Sequence, residues 1–294
     1  MNNYDDLLSN TPAEVQGSQM SKEEYATKKQ AERDGLYALS DQTALEVAGD
    51  SGKFKQYLDL QGKLDRYSAV NALLILAQKP EATRLGDFDH WKERGGFVKR
   101  DQTGIAILEP HEYSKEDGTP GTGYNVKKVF DVSQVDTQRM KMPPPASYDD
   151  RQLLRALIHK APMRITGVDE LPGNLGAMTD PDTGDISVRK GMAFGDTFRS
   201  VAMEFSAAVL AGSPNTQADP HFSAYCATYL LCVKYGVDTQ GFPFADAPRV
   251  FGALDAQGIK GELQQVRDAA GDISGRMAKQ LDAVQKAAKA QEPR

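Results

Sequence analysis

The sequence predicts an α+β protein in two parts: helices ahead of a small antiparallel sheet, then a mainly helical half with a short sheet of its own. Three observations lead there. Apolar residues recur at helical spacing between Ser21 and Lys79, and capping residues stand at the segment starts. Between Phe97 and Val132 that spacing gives way to short apolar runs bounded by glycines. The prolines Pro143 to Pro145 then mark a stiff extended linker, followed by a strand–helix–helix order.

Residues 1–20 are rich in Asn, Asp and Ser with little to bury, and disorder is expected there. Ser21 and Glu24 form a capping-box pattern that opens a helix to about Val47, broken by Asp50-Ser51-Gly52. A second helix carries Phe54, Tyr57, Leu58, Gln61 and Leu64 on one face. Ser68 caps a third, which Lys79-Pro80 ends. Asp87 to Arg94 is a short helix containing Trp91. Phe97–Arg100 and Ile105–Glu109 are predicted to pair as a hairpin, His111 to Gly123 to form a polar loop, and Tyr124 to Val132 a third strand. After the linker come a helix at Tyr148–Ala161, a strand or turn near Arg164–Val168, and a turn at Asp180–Gly184. A strand at Ile186–Arg189 and a helix at Asp196–Leu210 follow. Asp219-Pro220 caps the next helix, to Tyr235. Leu254 to Ala290 is mostly helical. The expected division is a tail at 1–20, a first domain at 21–139, a linker at 140–147, a second domain at 148–252 and a helical tail at 253–294.

The 294 residues are 40% hydrophobic and 26% charged, as in ordinary soluble globular chains. No apolar run approaches a membrane span, and the polar, acidic start reads as neither signal nor transit peptide, so a cytoplasmic protein without membrane contact is expected. The net charge of −6 argues against wholesale gripping of duplex DNA but not against a local basic groove. Basic residues concentrate between about Lys53 and Lys141. Cys226 and Cys232 fall on different faces of one predicted helix and read as two buried thiols. The four histidines include no pair at i and i+4, so a His-rich metal site is not expected, and no phosphate-binding glycine motif is present.

Residues 203–207 read Met-Glu-Phe-Ser-Ala, where a zinc peptidase helix carries His-Glu-x-x-His. In that motif two imidazoles one turn apart hold the metal, and the glutamate activates its water. Here Glu204 remains. Ala207 has no donor, and the Met203 thioether is a soft ligand ill suited to hydrolytic zinc.

Two blocks resemble a known family. The first is Tyr67-Ser68-Ala69-Val70-Asn71-Ala72-Leu73-Leu74-Ile75-Leu76-Ala77-Gln78-Lys79-Pro80-Glu81-Ala82-Thr83. It continues with Trp91, the Lys99/Gly104 region, Ile107-Leu108-Glu109-Pro110 and Val129-Phe130-Asp131-Val132-Ser133-Gln134. It resembles the N-terminal single-stranded-DNA-binding domain of ArdC-type antirestriction proteins, including LtrC-like proteins of plasmids and conjugative elements. The second block, Gly176 to Ala207 and Phe222 to Asp238, resembles the zincin-like metallopeptidase half of that family. The resemblance implies the fold and an antirestriction or conjugation-related role for a mobile genetic element. Of the ligand helix only Glu204 carries over. Where the family's later helix has an acidic ligand, this chain has His221-Phe222-Ser223-Ala224-Tyr225-Cys226. A pseudoenzyme with no catalytic metal and no cofactor is therefore expected.

Single strands are held by aromatic faces for bases and cations for phosphates. The candidate contacts are Arg66, Tyr67, Asn71, Trp91, Lys92 and Arg94, continued by Phe97, Lys99, Arg100, Lys127 and Lys128. Phe88 belongs to the same aromatic set. The competing structural reading places the aromatics in a core, Trp91 first, and gives Asn71 a capping role inside the protein. Lys99 and Arg100 flank a turn and are the foremost phosphate candidates. Single-stranded DNA is the expected partner, with a possible protein partner for the second half. Two other readings stay open: a metallopeptidase with a non-standard site, and a protein-interaction module that binds no DNA.

Overall fold

The computed structural model describes residues 21–115, 117–140, 147–212 and 218–291. The expected tail at 1–20 and the linker prolines lie outside the described residues.

Helix α1 (Lys22–Gly49) begins at the expected capping box: Glu24 N donates to Ser21 Oγ at 3.1 Å and Ser21 N donates to Glu24 Oε2 at 2.8 Å. Asp50 caps α2 (Ser51–Lys63) by accepting from Lys53 N, and Ser68 caps α3 (Ala69–Gln78) by accepting from Asn71 N. A short β1 (Leu85–Gly86) leads to α4 (Phe88–Glu93), capped by Asp87. Then come β2 (Phe97–Val98), β3 (Ile105–Ser114), β4 (Pro120–Asp131) and β5 (Val135–Asp136).

The expected hairpin of Phe97–Arg100 with Ile105–Glu109 does not form. β2 pairs with β5, Phe97 opposite Asp136, while β3 pairs with β4 from Ile105 opposite Val129 to Ser114 opposite Pro120. The stretch from His111 to Gly123, expected as a loop, is the far half of that β3–β4 hairpin. Apolar–polar alternation fades after Glu109, yet the ladder continues on ring–glycine pairs. The His111 ring covers Gly123 and the Tyr113 ring covers Gly121, where a Cβ would stand 2.7 Å from ring atoms. β1 adds to the other edge of β4, giving the antiparallel order β1-β4-β3.

The second half holds α5 (Asp150–Ile158), β6 (Ile165–Val168), β7 (Ala177–Thr179) and β8 (Ile186–Arg189). These strands form a small sheet in the order β6-β8-β7, with β7 antiparallel and β6 parallel to β8. Helices α6 (Phe194–Ala211), α7 (Pro220–Tyr235), α8 (Ala247–Phe251) and α9 (Ala256–Gln291) complete the chain. The fold is α+β with small, mostly antiparallel sheets, and among the described residues no sheet joins the halves.

One apolar cluster draws on both halves, from Phe54, Leu58 and Leu73 to Phe198, Phe205 and Leu231. Along α9, Ile259, Leu263, Val266, Ile273, Met277 and Leu281 form a buried ridge at helical spacing. It packs against α1, α3, α5, α6 and α7. Among the described residues, no helix is long and apolar enough to cross a membrane.

Candidate nucleic-acid interface

Four cations from separate elements meet at one open cleft. Lys63 ends α2, Arg66 follows it, Arg84 precedes β1 and Arg94 caps the end of α4. With Thr83 and His90 they line a space of about 330 Å³. Asp65 is the lining carboxylate, and it is held by Lys234 at 2.6 Å. Among the described residues no carboxylate pairs with Lys63, Arg66, Arg84 or Arg94. Like-signed charges over a low-dielectric wall focus a field that draws anions.

Local structure holds the Arg66 side chain, the Arg84 backbone and the His90 ring. The Arg66 guanidinium donates to Leu85 O and, at 3.1 Å, to the Tyr67 hydroxyl, and it lies 5.0 Å from the centre of the Tyr67 ring. The backbone at Arg84 is pinned on both sides: its N donates to Asp131 Oδ1 at 3.0 Å, and Val132 N donates to its carbonyl at 2.9 Å. His90 lies over Gly86, where any Cβ would collide with the imidazole. Burial first, then the charges of Arg94 and Arg66, lower the His90 pKa, while Asp87 and Glu93 oppose them. The imidazole thus senses the positive field of the cleft.

The predicted contacts divide. Arg66, Tyr67 and Arg94 belong to the cleft or its rim. Lys92, Lys99, Arg100 and Lys128 are exposed, with Lys99 Nζ donating to Ser133 O at 2.9 Å and Lys128 Nζ to Gly104 O at 3.4 Å. Phe97 is 58% exposed, and Phe88 is 60% exposed with its ring edge-on to Phe130 at 4.7 Å. Both present open ring faces. Lys127 lies between Asp87 at 2.9 Å and Glu109 at 2.6 Å, so its charge is already matched.

Two candidates face inward. Trp91 is fully buried and its Nε1 donates to Phe130 O at 3.0 Å. Asn71 Nδ2 donates to Leu108 O and Leu108 N donates to Asn71 Oδ1, each at 2.9 Å. Neither side chain presents a face to a ligand in this structure. Lys63, Arg84 and His90 were not among the sequence candidates. The density of basic residues after Lys53 was the available signal, but not which of them converge.

In α6, Met203 and Ala207 are half-buried and pack on the core. Glu204 is retained for a hydrogen bond that holds its helix in place: its Oε2 accepts from Thr179 N at 3.1 Å and Thr179 Oγ1 at 2.5 Å, fastening α6 to the end of β7. His221 is exposed in the first turn of α7, Ser223 is buried beside Glu262, and Tyr225 stacks on Phe222. Among the described residues, no group of three or more His, Cys, Asp or Glu is placed to hold a metal. This donor set does not fit a catalytic zinc site.

Residues 50–142 match the family model of the N-terminal domain of anti-restriction factor ArdC. By that match the segment is similar to an ArdC-type N-terminal domain. It contains the whole cleft, Lys63 to Arg94. The crystal structure of the antirestriction ArdC protein from plasmid R388, metal-free, is similar at 17% identity. The match covers 72% of this chain and 86% of that one, with a TM-score of 0.47. The Mn(II)-bound structure of the R388 protein matches at 15% identity over 72% and 85%, with the same TM-score. No curated protein matches the chain.

Proposed function

We propose that the ArdC-type N-terminal domain holds single-stranded DNA through the Lys63/Arg66/Arg84/Arg94 cleft, in an antirestriction-related role for a mobile genetic element. The supporting observation is the convergence of four cations without a carboxylate partner on the domain that carries the family match, in a chain whose net charge is −6. Cations fix phosphates, and the open faces of Phe88 and Phe97 suit unstacked bases. The Arg84→Ala/Arg94→Ala double variant is expected to weaken binding of a labelled single strand and to lower its log–log salt slope by about 1.4, near 0.7 per phosphate contact. Lys99→Ala/Arg100→Ala is measured beside it. A slope that changes only in the second variant would move the strand from the cleft to the β2–β3 turn, and no salt-dependent binding at all would remove the proposal.

The second half acts, in this reading, as a non-catalytic structural or protein-binding part. Glu204 serves as a fastener for β7, which needs no metal-bound water. Glu204→Gln is expected to leave DNA binding intact. Stoichiometric zinc in protein purified without added metal, with peptide cleavage that Glu204→Gln abolishes, would restore the metallopeptidase reading.

A further inference from the structure

A second groove lies between the first half of α1 and β4. Tyr25, Ala26, Lys29, Arg33, Asn125 and Val126 line a space of about 540 Å³, and its charged lining is two cations. Tyr25 is 55% exposed. Tyr37 stands one turn after Arg33 on the same helix face, and Tyr124 precedes Asn125 on β4; both expose ring surface. The groove therefore joins positive charge to several open aromatic faces.

Of the nearby carboxylates, Glu32 meets a cation and Asp34 meets only a neutral amide. Glu32 receives the Lys29 ammonium at 2.8 Å, and Lys28 and Lys128 also bear on it. Asp34 accepts from Gln30 Nε2 at 2.7 Å. Arg33 donates to the neutral Gln30 Oε1 at 2.5 Å and keeps its full charge. An acidic peptide would use the cations but leave the rings idle. A single strand uses both, a phosphate on Arg33 and bases on the tyrosines, while Lys29 is already matched by Glu32.

We propose that this groove is a second seat for single-stranded nucleic acid, built by α1 outside the matched segment 50–142. It rests on the reading that the protein binds single strands. β4 connects the regions: from Phe130, which carries the exposed Phe88 ring, to Asn125 in the groove is about 16 Å at the rise of an extended strand. Lys128 lies between them with its ammonium exposed. One strand held at both ends gains affinity through effective concentration without any new contact.

The test uses the full chain and oligonucleotides of about five and about sixteen nucleotides, spanning the usual range of single-strand site sizes. Tyr25→Ala/Arg33→Ala is expected to leave the short strand unaffected. It should weaken the long one about tenfold and reduce its salt slope by about 0.7. Arg84→Ala/Arg94→Ala should weaken both. An unchanged thermal melt confirms that the exposed α1 substitutions leave the fold intact, and Arg33→Glu repeats the measurement by charge reversal. If wild type binds neither strand, the underlying DNA reading fails. If the long strand binds and the α1 variants match wild type, the second seat alone is overturned. Equal loss for both lengths would mean one continuous site and also overturns it. So would an acidic peptide whose binding the α1 variant loses while the long strand is retained, which would assign the groove to a protein partner.

Discussion

Asn71 gives both ends of its amide to one residue, Leu108, in the first half of β3. Alanine there would strand a buried N–H and a buried carbonyl away from water, at a cost of about 2–4 kcal/mol for the pair. Asn71→Ala is therefore expected to lower the urea midpoint sharply while folded protein still binds a single strand normally. Lost binding with unchanged stability would return Asn71 to the contact list. The same residue shows what the sequence does and does not disclose. Residue type placed Asn71 and Trp91 in a basic, aromatic block, and of the two readings it left open the structural one, with Trp91 in a core and Asn71 satisfied inside, is what the fold adopts. Burial is decided by α3 and α4 packing on the sheet, and both residues pack inward. Lys63, Arg84 and His90 escaped for a related reason. They lie apart in the chain and meet only because the end of α2, the approach to β1 and α4 are brought together.

At the scale of elements, the junction of β1 with β4 depends on Asp131. Thr83 N and Arg84 N donate to its Oδ1 at 2.7 and 3.0 Å, and Ser133 N donates to its Oδ2 at 2.9 Å. Burial is the largest single influence on this carboxyl and pushes its pKa up. The donors from Arg84, Thr83 and Ser133 together outweigh it, and the pKa ends below the ordinary value. A carboxylate with a lowered folded pKa stabilises the fold above its unfolded value, about 3.9, and that stability is lost as pH falls through the folded pKa. Asp131→Asn should therefore be less stable at neutral pH, by about 1.5–3 kcal/mol, and should show a flatter loss of stability below about pH 4. Parallel acid titrations of the two proteins, differing only by a constant offset, would show that Asp131 does not contribute this way. The helices were legible because their capping residues are local: Ser21, Ser68, Asp87 and Asp219 each begin a helix as the sequence indicated, and Asp50, read as part of a helix break, also caps α2. Strand pairing was not. β2 and β5 find each other across the β3–β4 hairpin, a non-local choice. The far half of that hairpin is held by ring–glycine pairs that do not register as apolar alternation.

At the scale of the molecule, the segment with the family match shares its core with the helices of the second half. The Phe54 ring lies among Phe222, Phe244 and Phe251 at 6.0, 5.8 and 5.1 Å, all from beyond residue 142. Gln264 Oε1 accepts from Ala69 N at 2.9 Å, Arg267 Nε donates to Asp65 O at 3.1 Å, and the Tyr229 hydroxyl bonds to Asp59. Lys260, only 7% exposed, pairs with Asp41 on α1. Lys260 is buried but Asp41 is 38% exposed, so water screens the carboxylate left behind and losing the pair costs about 1 kcal/mol. Uncovering Phe54, Tyr57 and Leu58 would cost about 1.5–3 kcal/mol for each side chain. Those losses match the whole stability of an ordinary domain, about 5–15 kcal/mol. A fragment of residues 21–139 is thus expected to lack a cooperative melt, whereas the full chain unfolds in a single calorimetric transition. Lys260→Ala should lower that one transition as a whole instead of splitting it. A fragment that melts cooperatively at the temperature of the full chain, or a full chain with two separate transitions, would mean that the segment with the family match stands on its own. The helices beyond it, α7 and α9, would then be accessory to it and not part of the core that positions the cleft.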